Sequence, residues 1–312
     1  KLKRFDDLCA SKTVQDFYAS AQKDYSAIFD VAVKEDFDKK YFFSNEKNIF
    51  IELMGKEYDQ QRLIIAKALD SISEQVDVSE FEHSVQDFLS LIKNTISNNR
   101  NAYSIACGTS FHATKIAALF FNEIAKIELI PILPGDFRGE YSYSIKDNDL
   151  IIGVSQSGET KDLIDIFNDI DSTNLDVRKV VLVNNMNSTL GQEKSDVAIP
   201  ILCGPEIAVP ATKSFMNQIT LFYYLAIRIA DMKLKELDTD LDPNERKQRQ
   251  EMLVRRFKSL ADIPMLLKET VVKTDDMIDS MAAKIYMEPS LHILATKISG
   301  VAMEGALKIR ET

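Results

Sequence analysis

Asp149-Leu-Ile-Ile-Gly-Val-Ser-Gln-Ser-Gly-Glu-Thr160 is the stretch from which the rest of the chain can be read. The apolar run Leu150 to Val154 has the length and composition of a buried strand. It ends in a hydroxyl- and glycine-rich turn, Ser155 to Thr160, and the amphipathic run Lys161 to Ile170 follows. Strand, turn and helix in that order build an anion cradle, because the first N–H groups of a helix lack internal partners and the helix dipole favours negative charge there. Gly158 allows close backbone approach, and Ser155, Ser157 and Thr160 each carry a hydroxyl donor. The turn has neither the lysine of a P-loop nor a G-x-G-x-x-G pattern, so it suits a phosphorylated small molecule better than a nucleotide. By itself it equally suits an ordinary βα loop with a capping serine.

The flanking sequence sets this unit in a larger pattern. From Asn101 onward, short apolar runs alternate with helical ones: strands are expected at Tyr103–Ala106, Ile127–Leu133, Leu150–Val154, Val180–Asn184 and Val197–Leu202. Such alternation predicts a parallel sheet covered on both faces, a three-layer α/β/α sandwich. Pro131 and Pro200 place the second and fifth strands at the edges, as in the flavodoxin-like order 2-1-3-4-5. In that order the helices after strands one and three leave on opposite faces, and a crevice opens between them. The turns meeting there are Cys107-Gly108-Thr109-Ser110 and Ser155–Thr160.

Composition narrows the function. A chain of 312 residues exceeds what one core usually holds, so two units, or one and a fragment, are expected. The net charge of −10 argues against a nucleic-acid partner, though local backbone donors can still hold an anionic sugar. No signal-like segment opens the sequence, and the apolar stretch Ile219–Ile227 is too short to span a bilayer, so no membrane association is expected. Cys9, Cys107 and Cys203 are scattered and odd in number, which fits a reducing cytoplasm. With only His83, His112 and His292 as imidazoles and no metal spacing among the cysteines, neither a metal nor another cofactor is expected.

Around the sheet, residues 1–45 form a segment without assignable chemistry, and 46–100 a helical lead-in whose second helix, Val78–Ile96, turns Phe81, Val85, Phe88, Leu89 and Ile92 to one side. The α/β domain occupies 101–237. It ends with a loop, an N-cap expected at Thr212, and a long buried helix from Ser214 to about Met232. Residues 238–287 read as a helical linker whose arginines and lysines form a solvated face and not a basic binding patch. Leu291–Ala295 reads as a new strand, then a turn and a helix from Val301, so 288–312 is expected to begin a second, truncated domain of the same kind.

Several words of the sequence then carry a family. Met54-x-Lys56-Glu57, Cys107–Ser110, Ser155–Thr160, Val209-x-x-Thr212-Lys213 and Glu304-Gly-Ala-Leu-Lys-Ile-Arg-Glu311 resemble, in this order, the sugar-isomerase (SIS) portion of the glucosamine-6-phosphate synthase family, the glutamine:fructose-6-phosphate amidotransferases. The resemblance covers roughly 46–312. It implies that the first SIS domain binds a sugar phosphate, fructose 6-phosphate or glucosamine 6-phosphate, through Gly108, Thr109, Ser110, Ser155, Gln156, Ser157 and Thr160, with Cys107 and Val209 lining the site. It implies further that Glu304, Lys308 and Glu311 belong to the catalytic helix, Glu311 as the isomerisation base and Lys308 as a cation positioning the sugar. A glutaminase domain in the full protein, a homodimer and hexosamine synthesis from fructose 6-phosphate and glutamine-derived ammonia are implied as well.

Spacing adds an independent argument: residues i, i+4 and i+7 share one helix face, and a carboxylate desolvated beside a cation can shuttle a proton between C1 and C2 of a sugar. The same spacing also describes an exposed salt bridge. The chain departs from the family pattern at Ala211, at Ala295-Thr296-Lys297 and at Gln60-Gln61-Arg62. Two other readings share the fold: a stand-alone SIS sugar-phosphate isomerase or deglycase, and a non-catalytic sugar-phosphate-binding regulator.

Overall fold

The structure is a computed structural model that describes residues 80–203, 206, 210–285 and 288–311. All of them fall within the compact unit spanning 58–312. The 1–45 segment, the first part of the lead-in with Met54, Lys56 and Glu57, and Val209 lie outside the described residues.

Five parallel strands form one sheet: β1 (Ala102–Ala106), β2 (Ile130–Ile132), β3 (Leu150–Ser155), β4 (Arg178–Val183) and β5 (Val197–Pro200). Their order is β2-β1-β3-β4-β5, with both prolines on edge strands as expected. A strand pairs through every second N–H, so a missing donor is tolerated only where one side has no neighbour.

Alternate residues of the strands feed two separate cores, as the period of two requires. Ala102, Ala106, Leu150, Ile152, Val154, Val180 and Leu182 pack with α1 (Glu80–Ser97), α2 (Gly108–Phe120) and α4 (Lys213–Glu236). Tyr103, Ile105, Ile151, Val181 and Val183 face the other way, against Leu163, Ile166, Phe167 and Ile170 of α3 (Lys161–Asp171). The helices following β1 and β3 therefore lie on opposite faces. That is the condition for a crevice between them.

The first helix of this part presents the expected face, with Phe81, Val85, Phe88, Leu89 and Ile92 all buried. It is also pinned by charge. Arg228 donates to both carboxylate oxygens of Glu82, at 2.6 and 2.8 Å, and Tyr224 donates to the same group at 3.1 Å. Burial alone would raise the Glu82 carboxyl, but these donors, with Gln86, overcome it and hold it below the usual range.

Beyond α4 the linker is two helices, α5 (Pro243–Ser259) and α6 (Ile263–Ile285), joined by a 3-10 turn at Leu260–Asp262. The arginines of α5 serve as structural ties. Arg246 donates to the carbonyls of Leu234 and Asp238, Arg249 pairs with Asp238 and Glu245, and Arg256 reaches Glu123. The solvated face is confined to Lys247, Arg255 and Lys258, which are exposed, while Arg246, Arg249 and Arg256 are half-buried. The strand expected at Leu291–Ala295 does not form: these residues are neither helix nor strand, and each is exposed. A strand is stable only when its ladder groups find a partner, and among the described residues no strand pairs with this run. The helix after it does form, as α7 (Ser299–Glu311).

Candidate functional site

The turn after β3 is held in shape by its own hydroxyls. Ser155 Oγ lies 2.7 Å from Thr160 Oγ1 and accepts from the Gly158 N–H at 3.0 Å, while Ser157 Oγ accepts from the Glu159 N–H at 3.2 Å. Gly158 has φ of +72°, and a Cβ there would come within 1.9 Å of Ser188 Oγ, so only glycine fits. The segment 185–190 braces the turn from outside: the Leu190 N–H donates to the Gly158 carbonyl at 3.1 Å, and the Thr189 N–H to the Glu159 carboxylate at 2.8 Å. Thr160 occupies the N-cap position of α3, yet its hydroxyl turns back to Ser155 and does not cap. The helix start is left with N–H groups for an incoming anion.

The turn after β1 adjoins it. Ala106 is in register with Val154, so Cys107 and the residues after it enter the crevice beside the first turn. Burial pushes the Cys107 thiol up, and the Asp162 carboxylate in the first turn of α3 raises it further. The thiol is therefore neutral near pH 7 and not an activated nucleophile. Ser110 is buried, and its Oγ accepts from Gln218 Nε2 of α4 at 3.1 Å.

α7 lies across α2 at very short range. A Cβ on Gly300 would sit 2.5 Å from the His112 carbonyl oxygen and 2.8 Å from Ile116 Cγ1. This close approach brings the Glu304-Lys308-Glu311 face onto the first turn of α2. Glu304 Oε1 accepts from Thr109 Oγ1 at 3.0 Å and lies 3.2 Å from Lys308 Nζ, while Oε2 lies 2.7 Å from His112 Nδ1. Lys308 also reaches Thr109 Oγ1 at 3.3 Å and Glu311 Oε2 at 2.6 Å. Burial would raise the Glu304 carboxyl, but hydrogen bonds from His112, Thr109 and Lys308 and the Lys308 charge outweigh it, and the group is held below its ordinary value.

The structure thus brings Thr109, Glu304, Lys308 and Glu311 into one cluster at the mouth of the crevice, and Ser155, Ser157 and Thr160 into a second on the adjoining turn. The desolvation that the sequence argument attached to the base falls most fully on Glu304, which is 4% exposed, whereas the Glu311 side chain in the last turn is 25% exposed. Sequence reasoning missed four supporting residues: His112, Gln218, Ser188 and Glu206. The Glu206 carboxylate accepts from the N–H groups of Thr212 and Lys213, at 2.7 and 2.9 Å, and from Ser214 Oγ at 2.6 Å, so it caps α4 in place of the Thr212 side chain. A charged acceptor opposing the helix dipole is the stronger cap. His112 had a legible signal, since it stands three residues after Thr109 and so on the same face of α2. Gln218 and Ser188 come from distant segments, and Glu206 from just before α4. Among the described residues no group of side chains has the composition of a metal site, and no helix is long and apolar enough to cross a membrane.

This is a doubly wound α/β domain with a crevice between two hydroxyl-bearing turns at its topological switch point. Residues 95–228 match the SIS domain family, and the chain carries a SIS domain over that span. It is similar to glutamine–fructose-6-phosphate aminotransferase (isomerizing) of Clostridium perfringens, 30% identical over 268 residues that cover 85% of this chain and 40% of that protein. The corresponding enzyme of Aquifex aeolicus is 29% identical over 269 residues, covering 86% and 39% respectively. The chain spans about two fifths of the length of these relatives. The C-terminal domain of glucosamine-fructose-6-phosphate aminotransferase from Francisella tularensis shares the fold, with a TM-score of 0.64 over 83% of this chain and 66% of that one at 23% identity.

Proposed function

We propose that this chain is the sugar-isomerase portion of a glutamine–fructose-6-phosphate aminotransferase. The observation that carries the reading is the seating of Glu304, Lys308 and Glu311 against Thr109 of the sheet domain. An exposed helical salt bridge would need no such partner. In this reading the turn Ser155–Thr160, with Gln156 and the first N–H groups of α3, holds the phosphate of fructose 6-phosphate. Thr109 and Ser110 donate from the adjoining turn, where Gly108 and Cys107 line the crevice, and Val209 is assigned to the same lining. Lys308 sets the sugar beside Glu311. Ammonia released from glutamine adds to C2 with loss of water to give an imine, Glu311 takes a proton from C1 and returns it to C2, and the O1 proton passes to the nitrogen, leaving an aldehyde at C1 and an amine at C2. A carboxylate within reach of both carbons suffices for that transfer. The product is glucosamine 6-phosphate. The full protein would add a glutaminase domain and pair as a homodimer in the cytoplasm. The second SIS domain, of which α7 is the first helix, would complete the pocket.

Titration of the chain with fructose 6-phosphate and glucosamine 6-phosphate tests the phosphate site. Hydrogen bonds to a charged group are worth roughly 1.5–3 kcal/mol each, so the Ser157→Ala, Thr160→Ala double variant should bind at least about tenfold more weakly. Equal binding by the two proteins would remove the phosphate from this turn. In the full-length protein, Glu311→Gln should abolish glutamine-dependent glucosamine 6-phosphate formation. Retained turnover would exclude Glu311 as the base.

A further inference from the structure

Within the reading above, on which this inference rests, Glu304 is the member of the triplet whose environment fits proton transfer least. Its carboxylate is buried, and both oxygens are already engaged, Oε1 by Thr109 and Lys308 and Oε2 by His112. An ionised carboxylate only accepts, so the proton of this pair sits on His112 Nδ1. We propose that His112 and Glu304 form a positioning pair: the imidazole N–H anchors the carboxylate, the carboxylate holds Lys308 and Thr109 in register, and neither group exchanges a proton with the sugar.

Three features of the geometry support this. His112 and Thr109 are one turn apart on α2, so Glu304 bridges the start of that helix and cannot leave without losing both contacts. Gly300 lets the two helices touch at the His112 carbonyl, which fixes the distance that the side-chain pair must span. Lys308 lies between two carboxylates, at 3.2 Å from Glu304 and 2.6 Å from Glu311, so the placement of its ammonium depends on Glu304 staying where it is. The groups facing the pair are Thr109 from α2 and Lys308 from α7, with Glu311 one step further. The chain therefore ties α7 to α2 through a residue that sequence reasoning did not select.

The test exploits geometry. The side-chain amide of asparagine can place an N–H where histidine has Nδ1–H, but it cannot shuttle a proton. In the full-length protein, His112→Ala should lower kcat for glucosamine 6-phosphate formation by about tenfold to a hundredfold, with a smaller change in KM for fructose 6-phosphate, as loss of a charge-accepting hydrogen bond predicts. His112→Asn should restore most of that loss. Hydrogen exchange of residues 299–311 gives a readout independent of turnover: protection should fall in His112→Ala and Glu304→Gln and persist in His112→Asn. A His112→Asn enzyme as impaired as His112→Ala, with α7 still protected, would mean that the imidazole takes part in the chemistry and would overturn the proposal. Unchanged protection in both His112→Ala and Glu304→Gln would overturn it as well. If the parent protein forms no glucosamine 6-phosphate at all, the proposed function fails, and the exchange pattern alone decides the positioning pair.

Discussion

α4 and α6 are nearly the same length, 24 and 23 residues, and both carry regularly spaced apolar side chains, yet they have opposite fates. α4 buries Phe215, Leu221, Phe222, Tyr224, Leu225, Ile227 and Ile229 against the sheet and its neighbouring helices. α6 buries nothing among the described residues, and Met265, Leu266, Val272, Met277, Ile278 and Met281 are each more than half exposed. Periodicity specifies that a segment is helical and which face is apolar, but it does not specify what covers that face. α7 is a third case. It docks on α2 chiefly through the Glu304 network and the Gly300 contact, with much of its apolar surface, such as Val301 and Ile309, still open.

Substitutions can break or sharpen this contrast. The largest effect is expected at Phe222, which is fully buried in α4 and packs edge-on against Phe121. Phe222→Ala should cost about 3–5 kcal/mol of unfolding free energy in urea titrations. A loss below 1 kcal/mol would mean that α4 is not the anchor described here. Next comes Gly158→Ala, where a positive φ and a clash with Ser188 act together. It should cost about 2–4 kcal/mol and abolish sugar-phosphate binding, because the turn must open to admit the methyl group.

Glu304→Gln should have a smaller and more local effect, about 1–3 kcal/mol, confined to the docking of α7. The same contact has a defined pH response. The folded-state value of Glu304 lies below its unfolded value of about 4.5, so its stabilisation is complete above that value and is lost as pH falls through the folded value. Exchange protection of residues 299–311 should therefore vanish at acid pH before that of β1 and β3. Simultaneous loss would place α7 inside the core's cooperative unit. The smallest effect belongs to α6: Met277→Ala should change stability by no more than about 0.5 kcal/mol. A large loss would show that this face is covered in the assembled protein.

Much of the architecture was legible because it rests on local rules. Alternating apolar runs marked the strands, Pro131 and Pro200 marked the edges, and the hydroxyl-rich turns marked where the crevice opens. The strand expected at Leu291–Ala295 failed for the reason that α6 stays bare: an apolar run becomes a strand only beside another strand, and adjacency is not a property of the run itself. The Thr212 cap failed because the Glu206 carboxylate, a better acceptor, takes the N–H groups at the helix start.

The sequence by itself determined the sheet order, the opposite departure of α2 and α3, the hydroxyl-bearing turns and the shared face of Glu304, Lys308 and Glu311, since each follows from strand period, helix period or turn chemistry within a few residues. Only the tertiary structure decided that Glu304 is the most buried of the three, that His112 holds it, and that Gln218 reaches Ser110. These depend on contacts between segments about 100 to 200 residues apart, whose distances are set by packing and not by any local pattern.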